Sequence, residues 1–162
     1  MKSVTELAKQ LKRKKLKLVL AESCTGGLIS SVITEIPGIS EVFCGSHVTY
    51  REASKKNWLG VKKSTLATHS AVSKQCSIEM AQGALKKTPE AHVALSVTGY
   101  LGPTGSNVGL VYMTAINRKN RKSMTQEFWI LPKSKNKNLI AARLQRRRIT
   151  LECAIFLVRS LL

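Results

Sequence analysis

Ser23, Cys24 and Thr25 set two hydroxyls and a thiol side by side, and Gly26-Gly27 follow at once. Each of these side chains can attack an electrophilic carbon once a neighbouring base takes its proton. The glycines let backbone or ligand come close. Behind the group lies the apolar run Leu18-Val19-Leu20-Ala21, and ahead of it, from Leu28, apolar residues recur at helical spacing. A strand–turn–helix junction of this kind holds a reactive group at the end of a sheet, with helix N–H groups beside it. The same residues also suit a plain capped helix, with Thr25 as N-cap and the glycines serving the turn. A second glycine-rich run, Thr98-Gly99-Tyr100-Leu101-Gly102-Pro103-Thr104-Gly105, follows another apolar segment. Cys24, Cys44, Cys76 and Cys153 form no C-x-x-C pair, and His47, His69 and His92 are scattered, so no metal site is expected.

The elements that must position these groups are legible from periodicity. Ser3-Val4-Thr5-Glu6 is a capping box, and Val4, Leu7, Ala8 and Leu11 follow on one helical face, ending in the cations of residues 12–15. Residues 16–21 read as a first, central strand. A helix from the glycines carries Leu28, Ile29, Val32, Ile33 and Ile36 and stops at Pro37-Gly38. Residues 41–50 read as a second strand, with a bulge or close approach at Gly45. A short helix over 51–59 closes at Gly60, and Ser73 caps another running to Lys87. Residues 92–97 are a third strand. Residues 108–116 and 123–131 pair as a hairpin around Asn117-Arg118-Lys119-Asn120. A charged loop covers 133–138. The last helix, 139–162, carries Ile140, Leu144, Leu151, Ile155, Val158 and Leu162 on one stripe. Helices alternating with strands, then a hairpin, give an α/β fold: a mixed sheet with helices on both faces. No repeat or linker divides the 162 residues, so one domain is expected.

Composition is ordinary except for charge, with 27 Lys+Arg against 9 Asp+Glu and a formal net charge of +18. Such a charge suits phosphate-bearing molecules, nucleic acid or acidic membranes. The cations are scattered, however, and few aromatics stand among them, so a nucleic-acid surface is not favoured. No apolar run is long enough to span a bilayer, and free thiols fit a cytoplasmic protein.

Several motifs then converge. Ala21-Glu22-Ser23-Cys24-Thr25-Gly26-Gly27, Pro37-Gly38-Ile39-Ser40, Val48-Thr49-Tyr50 with Lys55, Leu59-Gly60-Val61, His69-Ser70-Ala71-Val72-Ser73, Thr98-Gly99-x-x-Gly102-Pro103 and Val108-Gly109-x-Val111-Tyr112 closely resemble the CinA C-terminal domain. The resemblance runs in order along nearly the whole chain. It implies a three-layer α/β/α sandwich spanning 1–162 as one amidohydrolase domain. It also implies the activity of the family's stand-alone members, which resemble nicotinamide-nucleotide amidases of the PncC type. These hydrolyse the carboxamide of nicotinamide mononucleotide to nicotinate mononucleotide and ammonia, with no cofactor and no metal. Carried over by motif, Ser23 matches the nucleophile, Lys55 the general base and Tyr50 a tyrosine assisting them. Arg143 matches an anion-binding arginine; Cys24, Thr25, Gly26, Gly27, Thr98, Gly99 and Gly102 complete the expected substrate contacts. A lysine acts as a base only when neutral, which burial or a nearby cation can bring about. The expected partner is a small molecule, on a homo-oligomer with no membrane association. The alternative is a member that keeps the fold without turnover, binding a nucleotide or associating with DNA.

Overall fold

The computed structural model describes residues 2–131 and 138–162. Its framework is β1 (Leu18–Glu22), buried at every position. Leu18 and Leu20 face one core, while Val19 and Ala21 face another. A strand buried on both faces belongs at the middle of a parallel sheet. β1 accordingly pairs in parallel with β2 (Phe43–Val48) on one side and β3 (Val93–Gly99) on the other. β4 (Leu110–Asn117) and β5 (Lys122–Trp129) extend the sheet antiparallel beyond β3, giving the order β2-β1-β3-β4-β5. This is the expected mixed sheet. Gly45 is a bulge, not a close approach: the β1–β2 register slips there, its φ is +131, and nothing lies within 4 Å of where a Cβ would stand.

One face of the sheet is covered by α1 (Lys2–Lys14), α2 (Leu28–Thr34) and α6 (Leu139–Ser160). Leu7 and Leu11 of α1, Ile29 and Ile33 of α2, and Leu151, Ile155 and Val158 of α6 close over Leu18, Leu20 and Leu95. Each such side chain contributes roughly 1.5–3 kcal/mol on burial. The other face is covered by α5 (Lys74–Lys87), through Cys76, Met80, Ala81 and Ala84. Ser73 caps it as expected, accepting from the Cys76 N–H. α3 (Glu52–Leu59) and α4 (Lys63–His69) lean on α5. Gly83 makes the α3 contact close: a Cβ there would stand 2.0 Å from the Leu59 carbonyl oxygen.

Four readings need correction. Ser3 does not cap α1, since the helix already includes Lys2 and Ser3, and its hydroxyl donates to the Glu152 carboxylate. Residues 63–69 form a helix that their weak apolar periodicity did not signal. The expected stripe along α6 holds only for its second half. Ile140 is 72% exposed and Leu144 47%, because Arg143, Arg146 and Arg147 turn the inner side of those first turns to polar contacts. Thr25 is not an N-cap: Gly27 occupies that position at φ +87 with no side-chain cap. Of the expected charged loop 133–138, only Asn138 lies within the described residues, and it caps α6 by accepting from the Ile140 and Ala141 N–H groups.

Candidate active site

The three parallel strands end in step, since Glu22 pairs with both Val48 and Val97. The following residues, Ser23, Thr49 and Thr98, are therefore brought together at the carboxyl ends of adjacent strands, where open α/β sheets offer a crevice.

The Ser23 turn is fixed from several directions. Glu22 is fully buried, and its carboxylate accepts from the Ile29 N–H at 3.0 Å, the Ser30 N–H at 2.9 Å and the Ser46 hydroxyl at 3.2 Å. One side chain thus ties β1 to α2 and β2. It also occupies the first amides of α2, so that helix start is not open to an anion. The Ser23 N–H donates to Val97 O and the Gly26 N–H to Ser23 O, both at 3.0 Å. Among the described residues, the Cys24 and Thr25 amides between them donate to no backbone carbonyl, and the Cys24 amide is turned to its own thiol. Arg147 donates to Thr25 O through Nε at 3.1 Å and Nη2 at 2.5 Å, strapping α6 to the turn.

Lys55 comes up from α3 and is 1% exposed. Its Nζ lies 2.5 Å from Ser23 Oγ and donates to Thr49 O at 2.7 Å. Burial draws its pKa below the ordinary amine value of 10.5, toward the neutral form. Cys24 stands beside this pair under the same pressure, but burial pushes a thiol the other way, to about 12. At neutral pH it is a protonated wall atom.

The pair opens into a cleft of about 320 Å³. Ser23, Cys24, Lys55, Tyr50, Arg143, Thr98, Gly99 and Gly102 all line it. Thr25, Gly26 and Gly27 do not; they shape the turn from behind, with both glycines at positive φ. Arg143 Nη2 donates to the Tyr50 hydroxyl at 3.0 Å, so these two side chains form one wall, apart from the Ser23–Lys55 contact. Arg146 Nη1 donates to Gly102 O at 3.3 Å, holding the loop after β3, and the Thr98 hydroxyl donates to Ala71 O at 2.7 Å, tying β3 to the segment before α5. Motif reading assigned no role to Glu22, Thr49, Arg146 or Arg147, although Glu22 stands inside the quoted signature. Glu52 and Val72 also line the cleft, Val72 from within the quoted motif. His92 Nδ1 accepts from the Lys17 N–H at 3.0 Å, a structural use. Among the described residues no grouping of His, Cys, Asp or Glu could hold a metal, and no helix is long and apolar enough to cross a membrane.

Residues 1–152 match the CinA C-terminal domain. The chain belongs to that family. A CinA-like protein of Thermotoga neapolitana is 46% identical over 107 residues, and one of Pseudothermotoga lettingae 48% over 108. Each alignment takes in 64% of this chain but only 26% of the relative, so the chain spans about a quarter of the length of these curated relatives. Solved CinA-family structures match more fully. The competence/damage inducible protein CihA of Agrobacterium tumefaciens superposes with a TM-score of 0.85 at 35% identity, covering 98% of this chain and 95% of that one. A CinA superfamily protein of Escherichia coli gives 0.87 at 26% identity, covering 99% and 88%.

Proposed function

We propose that this CinA-family chain is a serine–lysine amidohydrolase acting on nicotinamide mononucleotide. The observation that carries the reading is the 2.5 Å contact between Ser23 Oγ and a lysine amine that burial holds toward neutrality. Few structural roles repay burying a lysine against a serine, and a neutral amine is the base a serine needs.

In the proposed reaction Ser23 Oγ attacks the carboxamide carbon while its proton passes to Lys55 Nζ. The Cys24 amide, next in the chain to Ser23 on the cleft wall, is the backbone donor proposed for the developing oxyanion. The tetrahedral adduct collapses as the C–N bond breaks, and Lys55 returns the proton to the leaving nitrogen as ammonia departs. Water then attacks the acyl ester, again giving its proton to Lys55, and the carboxylic acid and Ser23 are released. Thr49 O keeps the amine aimed throughout. Arg143 faces the cleft with charge to spare for a phosphate.

Ammonia release from nicotinamide mononucleotide, its riboside and free nicotinamide tests the reading. The nucleotide should be preferred over the riboside by roughly ten- to a hundredfold, the worth of one charge-assisted phosphate contact. No ammonia from any of the three would end it.

A further inference from the structure

Glu52 is the one acidic residue lining the cleft among the described residues. It stands at the first position of α3, three residues before Lys55, so the two share a helix face. Cations outnumber carboxylates threefold in this protein, 27 to 9, yet among the described residues Glu52 forms no salt bridge and acts only through space on Lys55 beside it. Several other glutamates are engaged, Glu41 with Lys12, Glu79 with Lys62, Glu90 with Lys17, and Glu127 with Tyr112 and Trp129; what sets Glu52 apart is its place on the cleft wall. Lys55 is held toward neutrality, so the charges left facing the cleft are Arg143 and Glu52, of opposite sign. A ligand complementary to that wall carries an anion and a cation.

We propose that Glu52 selects substrates whose amide-bearing ring carries a fixed positive charge. This rests on the amidase reading above and adds a specificity residue to it. In nicotinamide mononucleotide the quaternary ring nitrogen is meta to the ring carbon that bears the carboxamide. With the carboxamide carbon at Ser23, that nitrogen stays inside the same cleft, whose one carboxylate among the described residues is Glu52. The phosphate, at the far end, is left to Arg143. The carboxylate would thus discriminate by charge between rings of the same shape.

The test compares nicotinamide mononucleotide with its 1,4-dihydro form, which keeps the phosphoribosyl group and carboxamide but has a neutral ring. Binding is measured by calorimetry in a Ser23→Ala background, with and without E52Q. We expect E52Q to weaken the nucleotide about three- to tenfold and to leave the dihydro form unchanged. Equal weakening of both, or of neither, overturns the proposal. In the active enzyme, E52Q should raise KM for the nucleotide more than it lowers kcat. A shifted pH–rate limb without discrimination between the ligands would mean that Glu52 acts on Lys55 instead, and also overturns it. A wild type that releases ammonia from the nucleotide alongside a non-discriminating E52Q sinks this inference alone. A wild type that neither hydrolyses nor binds it removes the amidase reading too.

Discussion

Burial favours the neutral form of Lys55 that the proposed amidase needs and, for the same reason, makes the residue a burden on the fold. Its folded pKa lies below the unfolded value of 10.5. Between the two values the unfolded chain binds a proton that the folded one does not, so stability falls as pH drops through that window. Above 10.5 the amine is neutral in both states and the slope vanishes. Lys55→Met should remove this slope in pH-dependent thermal melts and raise stability at neutral pH by about 1 kcal/mol, roughly 2–4 °C in Tm. The same variant should abolish hydrolysis, as should Ser23→Ala, and the double variant should be hardly worse than either, because the two groups act as one unit. Activity of the wild type should rise with pH through the Lys55 titration. Cys24→Ser should keep most of the activity, since the thiol is protonated until about pH 12. Loss with Cys24→Ser and survival with Ser23→Ala would transfer the attack to sulfur.

At the scale of elements, the catalytic geometry depends on contacts far from the cleft. α3 carries Lys55, and its end touches α5 at Gly83 with no room for a methyl group. Gly83→Ala must push α3 outward, costing about 1–3 kcal/mol of stability in denaturant titrations. It should also reduce kcat more than KM, because a base moved by about 1 Å loses its line to the serine. Glu22→Ala should do worse than Glu22→Gln, which can still accept from the α2 amides; melting curves and ammonia assays would rank them. Much of this frame was readable in advance. The apolar run before Ser23 announced the central strand, and Pro37-Gly38 and Gly60 announced helix ends. The A-E-S-C-T-G-G signature pointed to Ser23, but nothing local marked Lys55 as buried, since its neighbours Lys56 and Asn57 are exposed. Its burial comes with contacts to Ser23, 32 residues earlier, and with the packing of α3 on α5. The straps from Arg146 and Arg147 were hidden for the same reason: each ends on a backbone carbonyl, which has no residue type to recognise.

Across the whole molecule the charge of +18 becomes a property of approach. A field of this sign draws in anions and slows cations, and salt screens it over about 10 Å at 0.1 M. Raising ionic strength should therefore lower kcat/KM for nicotinamide mononucleotide and leave that of the cationic riboside flat or higher; parallel responses would remove steering from the account. A different consequence follows from where α6 reaches. Ser23, Lys55 and the strands that hold them all lie before residue 100, whereas Arg143, Arg146 and Arg147 belong to the last helix. During translation chain order becomes time order. At about 5–20 residues per second, the serine and its lysine leave the ribosome several seconds before the arginines that strap their turn and line their cleft. The nascent protein has made the proposed serine and lysine before it has the arginine proposed to hold a phosphate.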